Sequence, residues 1–289
     1  MGRLVLAGLQ HACGPEREAN VETAFDMARE ARSRGADVIC FQELFATPYF
    51  PQRPGVTAYH ALAEPIPGPT TERLAALARE LGATLVGSLY ERSADGALYD
   101  TAVVVHPDGT LAGRSRKMHI PDGSGYFERS YFRPGDTDYP VFEVPLGDRY
   151  SWPIGVPTCW DQWFPEVARI HALKGARALL YPSAIGNELE PSLADANTHD
   201  AWRTVMRGHA VANGMYVAAV NRVGREDQLT FYGGSFVADP TGEIIAELDD
   251  RPGILLADLD ERRVAFARRL SPLLGGRRPE TYRALVSGG

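Results

Sequence analysis

The chain has 289 residues, 44% of them hydrophobic, with 30 basic against 37 acidic residues and a formal charge of −7. That size and apolar content suit one α/β domain spanning 1–289, and an acidic chain with no basic block cannot follow a phosphate backbone, which excludes nucleic acid as a partner. Three cysteines are too few and too odd for a disulfide framework, and neither a leader nor a bilayer-length apolar run is legible, so a cytoplasmic setting away from the membrane is expected.

Taken in order, residues 4–9 read as a strand and 16–34 as an amphipathic helix stopped by Gly35. A short strand over 37–40 delivers Glu43. Residues 47–69 are rich in Pro, Gly and aromatics and are expected to form a long functional loop. A helix over 71–81, with Gly82 as C-cap, follows. Strands over 84–90, 98–106 and 110–116 are separated by the turn signatures Ala94-Asp95-Gly96 and Pro107-Asp108-Gly109. The third of them delivers Lys117. Residues 121–140 form another Gly- and Pro-rich loop, carrying Tyr126 and Glu128. An apolar run then stops at Cys159, and a helix over 164–173, a strand over 178–181 and a helix over 196–212 come next. Strands over 217–221, 234–238, 244–248 and 254–257 complete the pattern, which implies large sheets covered by helices. From Leu274 onward no core pattern remains, so the tail either frays or packs on another subunit.

Chemistry points to three strand ends. A thiol at a strand-to-helix elbow is presented outward, and the amides opening the next helix can hold developing negative charge. A lone cysteine is more often a core residue, the expectation for Cys13 and Cys40, but Glu43 and Lys117 stand at comparable positions. In that order Glu43, Lys117 and Cys159 resemble the Glu-Lys-Cys triad of the nitrilase-like carbon-nitrogen hydrolase superfamily. The likeness runs from Leu4-Val5-Leu6 to Pro279-Glu280-Thr281-Tyr282. Within the superfamily, Lys117-Met118-His119-Ile120-Pro121-Asp122-Gly123, Gly125-Tyr126-Phe127-Glu128, the segment 131–137, Cys159-Trp160-Asp161-Gln162-Trp163-Phe164-Pro165-Glu166 and the segment 231–236 resemble the N-carbamoylputrescine amidase branch. The resemblance implies an α-β-β-α four-layer sandwich, a homodimer or higher homo-oligomer with the tail (about 270–289) at a subunit interface, and no cofactor. It also implies hydrolysis of N-carbamoylputrescine to putrescine, carbon dioxide and ammonia, in polyamine biosynthesis.

A urea carbonyl is a poor electrophile, so a covalent intermediate that divides the reaction into two easier steps is favoured. Cys159 would attack, Glu43 would move the proton, and Lys117 with the backbone amide of Trp160 would hold the oxyanion. Glu128 resembles the additional glutamate that superfamily members place beside the lysine. His119 reads as a supporting or packing residue. The substrate's distal ammonium needs a carboxylate at the end of an apolar slot, for which Glu188 is the candidate and Glu190 its competitor. Tyr49, Phe50, Tyr126, Trp160 and Trp163 are candidate slot walls. Metal binding is not expected, since His199 and His209 lie ten apart with no tight His or Cys cluster.

Two departures from the family pattern stand out. Pro157-Thr158 precede the nucleophile, so the strand must end early or distort, and the link 221–229, expected to cover the pocket, is short. The competing readings are a β-ureidopropionase or other N-carbamoyl amino acid hydrolase, using Arg203 or Arg207 for the substrate carboxylate, and a catalytically silent scaffold on the same fold.

Overall fold

The computed structural model describes residues 2–123, 125–147, 150–188 and 198–287, with Glu188 described through its backbone alone. Along the chain run β1 (Arg3–Gln10), α1 (Arg17–Ser33), β2 (Val38–Phe41), α2 (Pro69–Leu81), β3 (Thr84–Arg92), β4 (Leu98–Val105) and β5 (Leu111–Arg116). Next come β6 (Val141–Pro145), β7 (Ser151–Gly155), α3 (Pro165–Leu173), β8 (Ala178–Pro182), β9 (Gly186–Glu188), α4 (Thr198–Asn213) and β10 (Tyr216–Val220). The chain closes with β11 (Val223–Glu226), β12 (Leu229–Tyr232), β13 (Phe236–Ala238), β14 (Ile244–Glu247), β15 (Gly253–Asp260) and α5 (Glu261–Leu270).

Two six-stranded sheets result, in the orders β15-β1-β2-β3-β4-β5 and β14-β13-β10-β8-β7-β6. Both faces of each sheet are buried, so the strands are apolar along most of their length and successive residues serve opposite layers. Leu6, Val38, Cys40, Val86 and Val104 point inward against Trp152, Ile154, Leu180, Ala218 and Val220 of the other sheet. Their neighbours Ala7, Leu9, Ile39, Phe41 and Val103 point outward onto Val21, Phe25 and Ala28 of α1 and Leu74 and Leu77 of α2. On the far side Leu179, Tyr181, Val217 and Ala219 meet Ala168 of α3 and Trp202, Met206 and Ala210 of α4. The layers are therefore α-β-β-α, the sandwich expected from the resemblance.

Several elements differ from the sequence reading. The 221–229 link is a β-hairpin: β11 and β12 pair antiparallel, and β12 continues to β9 as a separate three-stranded sheet. Strands of three or four residues, one face of which is polar, leave too little periodicity to read. Helix α5 is also absent from the sequence reading, because only Val264 and Ala267 of its ten residues are buried among arginines. Its N-cap is nonetheless regular, with the Asp260 carboxylate accepting from the Arg262 amide at 2.9 Å. Gly82 caps α2 in the left-handed conformation, φ 58°, as anticipated. Cys40 lies in the core, whereas Cys13 is half-buried and its thiol donates to the Phe45 carbonyl at 3.4 Å. The apolar run before Cys159 does not reach it: β7 stops at Gly155, ahead of Pro157, and a single 3-10 turn (Cys159–Trp163) intervenes before α3. No helix among the described residues is long and apolar enough to cross a membrane.

Candidate active site

The first sheet delivers its polar groups to one end. Glu43 lies two residues beyond β2 and Lys117 one residue beyond β5, with Asp100 of β4 between them in the sheet order. The Lys117 ammonium is 2.8 Å from Oε1 of Glu43 and 2.7 and 2.6 Å from the two oxygens of Glu128. Oδ2 of Asp100 is farther, at 3.6 Å. All four side chains are buried, where an unpaired charge is very costly and a paired one tolerable. Burial opposes the charge on Lys117, but Glu128 and Glu43 outweigh it and hold the ammonium well above its ordinary pKa. Glu128 is pushed up to about 7 by burial, with Lys117 pulling the other way and Glu43 adding to the rise.

Cys159 opens the 3-10 turn with φ 41°, a left-handed conformation that costs a non-glycine residue energy and is typical of functional turns. Burial, then Glu43, push its thiol well above the ordinary pKa against the pull of Lys117. The resting group is a thiol, so it needs a base to become a nucleophile. Asp161 fastens this turn to the Lys117 strand end: one oxygen accepts from the amides of Thr158 (3.3 Å) and Met118 (3.2 Å). The other accepts from the His119 amide at 2.9 Å and lies 2.7 Å from His119 Nδ1. His119 in turn stacks on Phe164 with ring centroids 3.7 Å apart, which gives it a holding role.

The remaining candidates divide. Tyr49 is fully buried and donates to Glu128 at 2.6 Å, so it orients a carboxylate rather than facing open space. Tyr126 packs edge-on against Tyr49 and ties its loop to β9, its hydroxyl accepting from the Gly186 amide (2.9 Å) and donating to the Gly186 carbonyl (3.1 Å). Phe50 belongs to an aromatic cluster with Tyr59, Tyr90, Tyr131 and Phe132. Trp160 is 39% exposed, while Trp163 packs onto the α4 side of the second sheet. The backbone of Glu188 pairs with Leu229; its side chain, and all of Glu190, lie outside the described residues. Arg203 and Arg207 are engaged elsewhere, the former with Glu247 and the latter with the Gly242 carbonyl at 2.7 Å.

Two residues escaped the sequence reading. Arg222, fully buried, donates to the carbonyls of Glu43 (3.0 Å), Leu44 (3.1 Å) and Thr47 (3.1 Å) and to Glu226 (2.7 Å), so it clamps the loop that carries Glu43. Asp100 is the other; the available signal was a carboxylate inside the otherwise apolar run Leu98 to Val105. Carboxylate oxygens of Glu43, Asp100 and Glu128 come within 4.8 Å of one another, an arrangement that could hold a cation, and Lys117 supplies one.

Residues 6–269 match the carbon-nitrogen hydrolase family. The chain is 43% identical to the N-carbamoylputrescine amidase of Solanum lycopersicum, covering 99% of this chain and 96% of that protein. It is 39% identical to the citrullinase of Francisella tularensis, covering 99% of each. A crystal structure of a carbon-nitrogen hydrolase from Helicobacter pylori G27 superposes with a TM-score of 0.92 at 38% identity, covering 99% of each chain. A glutamate-to-glutamine mutant of an amidase from Nesterenkonia sp. AN1, with the acetamide moiety of fluoroacetamide added covalently at its active site cysteine, superposes with a TM-score of 0.79 at 27% identity, covering 97% of this chain and 96% of that one. With the family matched over nearly the whole length, the chain belongs to the carbon-nitrogen hydrolases and is an amidase-type enzyme.

Proposed function

We propose that this enzyme hydrolyses N-carbamoylputrescine to putrescine, carbon dioxide and ammonia in polyamine biosynthesis, with Cys159 as nucleophile. The observation that carries the reading is the buried Lys117 ammonium held between Glu43 and Glu128, with which the buried Cys159 interacts electrostatically. Glu43 takes the thiol proton as sulfur attacks the carbamoyl carbon. The resulting oxyanion is held by Lys117 and the Trp160 amide. Glu43 returns the proton to the departing nitrogen, leaving a thiocarbamate on Cys159. Water activated by Glu43 then attacks that carbon, the thiol is regenerated, and the carbamic acid released loses carbon dioxide.

The plant relative's name supports a cationic tail on the substrate, and Glu188 is proposed to pair with it. A second reading, an N-carbamoyl amino acid hydrolase, is favoured by the citrullinase relative. Against it, the two arginines suggested for a substrate carboxylate already have partners. A silent scaffold is disfavoured by the presence of the complete triad. The tail is proposed to pack in a homo-oligomer, and the cytoplasm is the proposed compartment.

The test is ammonia release from N-carbamoylputrescine, an uncharged N-carbamoyl alkylamine, N-carbamoyl-β-alanine and citrulline, with mass spectrometry of the trapped enzyme. The cationic substrate should win, Glu188→Gln should raise KM for it alone, and the adduct should map to Cys159. Preference for an acid substrate would replace the substrate class, and turnover by Cys159→Ala would remove the nucleophile.

A further inference from the structure

The three N–H groups of Lys117 are consumed by Glu43 and Glu128. Nothing is left for Asp100, whose Oδ2 stands 3.6 Å from the ammonium. Oδ2 of Asp100 and Oε2 of Glu43 are both buried without a hydrogen-bond donor, and the two residues bring carboxylate oxygens within 4.8 Å of each other. Two carboxylates cannot satisfy one another, because both are acceptors; one proton between them satisfies both at once.

The surroundings fix which group carries it. The Leu44 amide donates to Ser88 Oγ at 3.0 Å, and Ser88 Oγ donates to Oδ1 of Asp100 at 3.2 Å. If Asp100 donates in turn to Glu43, the hydrogen bonds form a closed ring with one sense of direction, starting from the amide next to Glu43 and returning to its carboxylate. Glu43 then accepts from Asp100 on one oxygen and from Lys117 on the other. We propose that Asp100 is a positioning residue of the active site that carries a proton in the resting enzyme and donates it as a hydrogen bond to Glu43, fixing the plane of the base so that its remaining lone pairs face Cys159. The inference rests on the assignment of Glu43 as the base.

The electrostatics agree. Burial, and after it the charge of Glu43, push the Asp100 carboxyl well above the usual carboxylate range, with Lys117 opposing and Glu128 adding to the rise. The charged and titratable groups around it are thus Glu43 from the end of β2, Lys117 from the end of β5, and Glu128. Raising the pH removes the shared proton and places a third negative charge on one ammonium. Activity should fall on the alkaline side for that reason.

The experiment compares wild type with Asp100→Asn and Asp100→Leu. Asparagine can accept from Ser88 and donate to Glu43, so D100N should lose no more than roughly threefold in kcat, whereas D100L leaves a buried acceptor unpaired and should lose roughly tenfold to a hundredfold. The alkaline limb of the rate profile should move to higher pH in D100N, which has no proton to lose there. Infrared difference spectra of wild type against D100N, recorded about two pH units above 7 so that Glu128 is ionised in both, should show a protonated carboxyl band in the wild type alone. Absence of that band, or a D100N enzyme as slow as D100L, overturns the proposal. The infrared measurement needs no substrate, so an error in the substrate class leaves it readable, and it remains so if D100L fails to fold.

Discussion

Glu128 accepts from Lys117 through both oxygens and from Tyr49 through one. Those bonds require the carboxylate, yet burial lifts its pKa to about 7. A carboxyl is protonated below its pKa and ionised above it, so as pH falls through about 7 Glu128 gains a proton and its hold on Lys117 weakens. The rate should therefore decline on the acid side, with the midpoint belonging to the coupled cluster rather than to one residue. Glu128→Gln cannot titrate; its kcat should be roughly tenfold to a hundredfold below the wild-type plateau and flat across that limb. An unchanged acid limb in Glu128→Gln would assign the titration to another group. At this scale the sequence showed the types of residue well and their partners poorly. Tyr49 read as a slot wall because nothing in its neighbours reveals a carboxylate 79 positions away, and Asp100 passed unnoticed because its importance lies in what faces it across the sheet.

Residues 42–49, directly after β2, form neither helix nor strand, and Leu44 among them adopts a positive φ of 49°. Arg222 supplies the hold from the segment between β10 and β11, through three carbonyls, and Glu226 closes the arrangement by accepting from the Tyr49 amide at 2.6 Å. Lysine keeps the charge but has no fork of donors. Arg222→Met, which strands Glu226 and three carbonyls, should lower stability by about 3–5 kcal/mol, with Arg222→Lys between it and wild type. Where the protein stays folded, kcat should fall while KM changes little, because the loop carries Glu43, the proposed base, rather than the proposed binding slot. Denaturant titration paired with steady-state kinetics checks this, and a fully stable, fully active Arg222→Met would remove the clamp. The hairpin that carries this clamp is also the element the sequence hid. Its strands are four residues each, with the turn at Asp227-Gln228, too short for alternation to stand out from a polar loop.

Across the whole molecule, the sandwich buries the apolar faces of its sheets but leaves the chain end uncovered. Leu270 is 67% exposed, Leu285 68% and Val286 86%, and the tail packing proposed above would cover them. Removing the residues after Leu270 should shift the protein to a smaller species in light-scattering measurements, whereas an unchanged mass would show that the tail plays no part in assembly. By itself the sequence determined the layered α/β architecture, since short apolar runs and period-3.6 patterns are local properties of contiguous residues. It also marked Glu43, Lys117 and Cys159 as candidates, through the segment ends at which they were read and their likeness to the family's triad. Only the tertiary structure decided that β7 ends early, at Gly155, rather than distorting, that Asp161 bolts the turn at Cys159 to the end of the Lys117 strand, and that Asp100 and Arg222 stand behind Glu43. Those contacts join residues from 42 to 179 positions apart, and whether a buried charge is paired or orphaned depends on such distant neighbours, which no local pattern encodes.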